Sequence, residues 1–177
     1  MIPSIKFTIP GEVRGKGRPR AYFNKNVGGV RTYTDEKTVA YESLVKAMAF
    51  SAMAERNLKP LTTPIGLNLL VRITPPTSWA KWKLAEALAC KVAPTTKPDV
   101  DNVIKGVLDG CNGVVWADDN QVIYIEIVKR YADVEGVDVT VHAMNLQSAQ
   151  DAKRPGSVGT GVGESPTPQL DLSGGDL

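Results

Sequence analysis

An α+β fold is what this sequence predicts: a single domain in which a mixed β-sheet carries helices mainly on one face. Three observations predict it. Strand-like alternation opens the chain, helical periodicities surround one long apolar strand in its middle, and two further alternating runs joined by a short turn close it. At 177 residues the length suits one core, since a domain takes ~100 to 200 residues. The folded unit is expected over residues 1–147, with residues 148–177 as a Gly/Ser/Pro-rich tail.

Ile5, Phe7 and Ile9 alternate with Lys6 and Thr8 before Pro10-Gly11, the pattern of a half-buried strand ended by a turn. Gly15, Gly17 and Pro19 then interrupt any regular pattern, and Asn26 to Gly29 marks a turn, so Arg18 to Thr34 reads as an irregular hairpin. Thr34 or Asp35 can cap a helix carrying Tyr41, Leu44, Val45, Met48, Ala52 and Met53 at spacings of three and four, ending near Asn57 to Pro60. Ile65 to Ile73 reads as a well-buried central strand stopped by Pro75-Pro76. Ser78 can cap a helix from Trp79 to about Cys90 with Trp79, Trp82, Ala85 and Ala89 on one face and its lysines outward.

The strongest helical periodicity follows Val100: Val103, Ile104, Val107, Leu108 and Cys111 recur at three and four until Gly110 or Gly113 ends the helix. Gln121 to Tyr131, with Ile123, Ile125 and Ile127 on one face, and Gly136 to Met144, with Val137, Val139, Val141 and Ala143, read as strands that Asp133 to Gly136 joins as a final hairpin. After Gln147 large apolar residues are few, and such a segment cannot bury enough surface to offset its ordering entropy.

Composition excludes several function classes. An apolar share of 42% and a charged share of 23% are ordinary for a globular protein. The longest apolar run, Ile65 to Ile73, falls well short of the ~18 to 20 residues of a membrane span, and the amino terminus lacks a signal peptide's apolar segment. A cytoplasmic protein with no membrane partner is expected. Cys90 and Cys111 make no Cys-x-x-Cys unit, so neither zinc nor a disulfide framework is indicated. The net charge of +2 is uninformative, but its distribution is not. From Arg14 to Arg31 every charged residue is basic, whereas Asp99 to Asp119 holds five aspartates against one lysine.

The second segment can carry chemistry. Pro98 pushes Lys97 toward an extended conformation, and Asp99 stands where a helix begins, so its carboxylate need not obey helical spacing relative to Asp101. Inside a regular helix the two would lie about 200° apart and share no ion. Asp101 and Lys105 are one turn apart and lie off the apolar stripe. Asp118-Asp119 sits in a polar turn before a strand, from which a side chain can be aimed across the sheet toward the helix start to complete a three-carboxylate site. Oxygen-only clusters suit magnesium, and magnesium suits phosphodiester hydrolysis, where it activates water and neutralises phosphate while a lysine adds positive charge. Spacing alone leaves a plain reading open: Asp99 as a helix cap, Asp101 and Lys105 as an i,i+4 pair, and Asp118-Asp119 as a turn signal.

Lys97-Pro-Asp-x-Asp-Asn-x-x-Lys-x-x-Leu-Asp109, followed by Trp116-x-Asp-Asp119, resembles the signature of RusA-type Holliday junction resolvases. The resemblance takes in Gly15-Lys-Gly-Arg-Pro-Arg20 and Tyr33-Thr34, so it spans roughly Ile5 to Met144 and omits the tail. It implies a homodimeric, Mg2+-dependent endonuclease of α+β fold that nicks four-way DNA junctions in bacterial or phage recombination and repair. Carried over residue by residue, Asp99, Asp101 and Asp119 become metal ligands and Lys105 a catalytic lysine, with Asn102 and Asp118 in support.

Arg14, Lys16, Arg18 and Arg20 lie in a Gly-punctuated arm able to follow a phosphate backbone, with Lys97 as a further contact and Tyr22 or Phe23 able to stack on unpaired bases. The plain reading of such an arm is a solvated basic loop. Lys129 and Arg130 rank lower as phosphate contacts; His142 reads as solvent-facing, the Gly156 to Gly163 run as flexible tail, and Trp79 and Trp82 as packing residues. Two rival functions survive: a metal nuclease for flaps or forks, and a junction-binding protein without catalysis.

Overall fold

Apolar residues at every second position build β1 (Ser4–Pro10), whose Ile5 and Ile9 are buried while Lys6 and Thr8 face water. In the computed structural model, which describes residues 4–16, 20–24, 28–33 and 35–146, β1 is one edge of a four-stranded sheet. It pairs antiparallel with β6 (Gly136–Ala143), β6 pairs antiparallel with β4 (Ile65–Ile73), and β4 pairs parallel with β5 (Val122–Tyr131). The order β1-β6-β4-β5 makes the sheet mixed and places β4 inside it. That position matches the near-continuous burial of Ile65, Gly66, Leu67, Leu69 and Val71.

Separate from this sheet, β2 (Arg20–Asn24) and β3 (Gly29–Tyr33) form the expected hairpin, but with a regular antiparallel register where an irregular one is expected. Arg18, Thr34, the tail from residue 148 and its Gly156 to Gly163 run lie outside the described residues, as do the side chains of Arg20, Tyr22 and Phe23.

Helix α1 (Glu36–Glu55) starts at Asp35, whose carboxylate accepts from the Lys37 N–H at 2.9 Å. Helix α3 (Val100–Cys111) runs beside it over the sheet face formed by Ile5, Leu67, Leu69, Val139 and Val141. Two glycines permit the close approach of the helices: a Cβ on Gly110 would stand 2.6 Å from Val45, and one on Gly106 would touch the Tyr41 ring. The opposite sheet face is mostly polar, with Asn68, Glu126, Arg130, Asp138 and Thr140 around a shallow depression that also holds Leu69, Leu70 and Val128. This is the α+β architecture that the sequence predicts.

The expected final hairpin does not form: β5 and β6 each pair with β4, which lies between them, so Asp133 to Gly136 crosses the end of β4 instead of making a tight turn between paired neighbours. Two further local expectations fail. Helix α2 (Lys81–Leu88) begins two residues after Trp79, with Ala80 at its cap and no side-chain cap bond, so Ser78 does not start it. Only Ala87 is buried on that helix, and Trp82 is 67% exposed. Trp79 instead packs in a T-shaped arrangement with Tyr131, ring centroids 5.4 Å apart, with the Lys83 ammonium 3.9 Å from its ring centroid. The second failure is Ile123. Pairing of β4 with β5 skips a residue between Val122 and Tyr124, which leaves Ile123 54% exposed rather than beside Ile125 and Ile127.

Candidate nuclease site

Because β4 and β5 are parallel, the chain between them must return along the sheet, and α3 makes that return. Its start therefore lies at the end of the sheet where β4 and β5 finish. Lys129 of β5 holds the loop there, donating to the carbonyl oxygens of Thr96 (2.7 Å) and Pro98 (3.2 Å) across the cis Lys97–Pro98 peptide. Lys129 thus positions the loop that precedes Asp99, a role local sequence does not reveal.

Asp99 occupies the cap position of α3 with extended backbone, yet its carboxylate makes no cap hydrogen bond. An Asp at this position ordinarily accepts from the second or third helical N–H. Asp101 follows in the first turn, exposed, and among the described residues it forms no ion pair with Lys105, which is exposed as well. Neither plain explanation, cap or i,i+4 pair, accounts for these side chains.

The basic arm after β1 lies against the same helix start. The Lys16 N–H donates to the Asn102 carbonyl at 2.9 Å, and a Cβ on Gly15 would collide with Asn102 at 2.6 Å, so the arm sits flush on α3. The Lys16 ammonium turns inward to Asp109 of α3 and Glu42 of α1. Its hydrogen bond to Asp109 raises its pKa above the usual lysine value, against the opposing effect of burial. Lys16 ties arm, α1 and α3 together and is spent on protein contacts. Arg14 reaches Glu12 at 2.6 Å on the surface.

Arm, α1 start and α3 start enclose an open cleft of about 710 Å3 into which Arg14, Lys37, Lys97, Asp99 and Asn102 contribute. The starts of both α1 and α3 line it, adding the partial positive charge of their N–H groups. Lys37 is a cleft residue that the sequence did not single out; it becomes visible only when α1 and α3 are known to start side by side.

The second aspartate pair is built differently. Trp116 is fully buried and bridges to Leu61 and Asn112, fixing the segment that leaves α3. Gln121 accepts from the N–H groups of Ala117 (2.9 Å) and Asp118 (3.0 Å) while donating to the carbonyls of Leu61 and Thr63. Asp118 accepts from the Asn120 N–H at 3.0 Å and completes a capping box for the 3-10 turn Asp119–Gln121. Asp118 is therefore used structurally, whereas Asp119 is exposed with no such bond.

The expected convergence of Asp119 on the helix start does not occur within one chain. A helix that returns between parallel strands puts its start at one end of the sheet and the start of the next strand at the other. The 12 residues of α3 span roughly 18 Å at 1.5 Å per residue. Among the described residues no group of three His, Cys, Asp or Glu side chains gathers at metal-binding distance. The donor chemistry still fits a hard divalent cation, because Asp99, Asp101 and Asp119 offer carboxylate oxygens that no hydrogen bond or salt bridge found among the described residues engages. His142 lies on β6, remote in register from the α3 start, and no described helix is long and apolar enough to cross a membrane.

Residues 10–142 match the family described as endodeoxyribonuclease RusA. The uncharacterized protein YqaN of Bacillus subtilis (strain 168) is 33% identical over 143 residues, covering 80% of this chain and 97% of that protein.

Proposed function

The chain belongs to the RusA endodeoxyribonuclease family, and we propose that it is a Mg2+-dependent, homodimeric enzyme that resolves four-way DNA junctions by paired nicks during recombination and repair. In this reading residues 1–147 form the nuclease unit and residues 148–177 a tail outside it. The observation that carries the reading is the condition of the α3 start: an Asp in a capping position that caps nothing, beside a cleft that Lys37 and Lys97 line together with the acidic Glu12 and Asp35. The exposed oxygens of Asp99 and Asp101 are open to a ligand.

Asp99, Asp101 and Asp119 supply the oxygens for a divalent cation, which when bound supplies Lewis acidity and lowers the pKa of water at the scissile phosphate. Lys105 adds fixed positive charge as the phosphate gains negative charge. Arg14 and Lys97 at the cleft, with Arg18 and Arg20 of the arm, follow the DNA backbone, joined by Lys37. Lys16 acts by holding the arm on α3 rather than by touching phosphate, and Asn102 by anchoring the arm through its carbonyl.

Cleavage of an end-labelled mobile four-way junction, beside matched linear, flap and fork DNA with and without Mg2+, tests the proposal. Symmetrical nicks confined to the junction and requiring the cation are expected. Equal cutting of flaps or forks would assign a different substrate, and tight junction binding without any nick would point to an architectural protein.

A further inference from the structure

We propose that α2 is a DNA-contacting element that recognises the branch point: Trp82 stacks on an unpaired base while Lys81 and Lys97 hold the phosphates beside it. This assignment rests on the nuclease reading above and adds the feature that selects a branched substrate over a linear one.

Trp82 is 67% exposed, the highest value among the exposed large hydrophobic residues described. Ala87, the buried residue of α2, lies about 140° round the helix from it at 100° per residue, so the indole stands off the body of the protein. A tryptophan left in water forgoes the burial that ordinarily holds this residue. Stacking on a base supplies that burial, since every base presents a flat π-face and an aromatic platform needs no particular sequence.

The element that carries Trp82 is fixed in place beside the α3 start. With no side-chain cap, the first turn of α2 is held from outside: Trp79 packs on the buried Tyr131, Lys83 reaches back over the Trp79 ring, and the Trp79 N–H donates to the Pro76 carbonyl at 3.1 Å. Tyr131 lies two residues beyond Lys129 on β5, so the two side chains leave one face of the strand about 7 Å apart. Lys129 in turn holds the carbonyls of Thr96 and Pro98 just before Asp99. The starts of α2 and α3 are therefore mounted on one short stretch of β5, and a DNA strand lying at the α3 start passes the first turn of α2.

Charge separates DNA from a protein partner. Between Thr74 and Pro98 the chain carries Lys81, Lys83, Lys91 and Lys97 against Glu86 alone, and Glu86 pairs with Lys91 at 3.6 Å. Lys81 and Lys97 are exposed and form no salt bridge among the described residues. An exposed indole beside unneutralised ammonium groups suits a polyanion that carries bases, whereas protein-docking faces are depleted in lysine.

Binding of the full chain to a four-way junction, a matched linear duplex and a matched single strand, without divalent cation, tests this. Junction affinity of Trp82→Ala is expected to fall about tenfold, the scale of one lost base–aromatic stack. Trp82→Phe, which keeps a flat ring, should recover most of it. The loss should fall on the junction and the single strand, because a linear duplex offers no unstacked base. Unchanged junction affinity in Trp82→Ala, or an equal loss on linear duplex, overturns the proposal. So does a changed mass by light scattering with junction affinity intact, which would make the α2 face a protein-docking surface. A second measurement needs no variant: iodouracil placed at the branch point is irradiated with the wild-type chain bound, and the linked peptide is read by mass spectrometry. A link to Trp82 is expected, and links to other residues only, or none, overturn the assignment. Both readouts report binding, so a wild type that holds junctions through Trp82 yet never nicks them would remove the nuclease reading alone.

Discussion

At its start α3 carries Asp99 and Asp101 with carboxylates that no cap bond or ion pair engages, held on a loop clamped from β5 by Lys129. Beyond its end, Asp118 accepts from Asn120, Gln121 closes the turn with four hydrogen bonds, and Trp116 is buried beneath. The same residue type at a helix start is thus idle as a cap in one place and employed as one in the other. Identity and position do not show whether an aspartate caps a helix; the backbone groups that it does or does not satisfy do.

This contrast breaks most readily at Trp116. Trp116→Ala is expected to cost roughly 3–5 kcal/mol, the range for emptying a buried aromatic site, read as a lower midpoint in urea unfolding. A cost below about 1 kcal/mol would mean that the Asp118–Asp119 segment is not anchored through the core. Asp118→Ala is expected to lose about 1 kcal/mol by removing one cap acceptor, whereas Asp99→Ala, with no cap bond to lose, should leave the unfolding midpoint close to wild type. Equal losses from the two would erase the distinction.

The smallest effect sharpens the packing side. Tyr41 is buried against Gly106 with no hydrogen-bond partner for its hydroxyl among the described residues, and burial pushes its pKa from 10.0 to about 12. The folded chain holds that proton after the unfolded chain has lost it, so the contribution is intact below pH 10 and is lost as pH rises toward about 12. Tyr41→Phe should be neutral or stabilising by up to about 1 kcal/mol at pH 7. Its unfolding midpoint should fall less steeply than wild type above pH 10; parallel pH profiles would contradict the burial argument.

Much of this was legible in sequence because it depends on local period. The Val103, Val107 and Cys111 stripe predicts α3, alternation predicts β1, β5 and β6, and the apolar run predicts the inner strand β4. What failed depends on partners. Ile123 leaves the core face because of a bulge against β4, and Trp79 packs on Tyr131 rather than starting a helix. The site divides the same way. The Asp99 and Asp101 pairing at a helix start is a local feature, but the aim of Asp119 is set by the parallel pairing of β4 and β5, which no local pattern encodes. Likewise the basic sign of the arm was readable, while the commitment of Lys16 to Asp109 and Glu42 required the packing of two helices.

The most direct test of the central claim is cleavage of a four-way junction by Asp99→Asn set beside Asp118→Asn, with junction binding scored in the same tubes. The account predicts that Asp99→Asn cuts at least ~100-fold more slowly, the scale for losing a key electrostatic group, while binding as tightly as wild type. Asp118→Asn, which keeps a side-chain acceptor for its cap, should cut within a few-fold of wild type. Wild-type cleavage by Asp99→Asn would contradict the assignment of the α3 start as the catalytic centre.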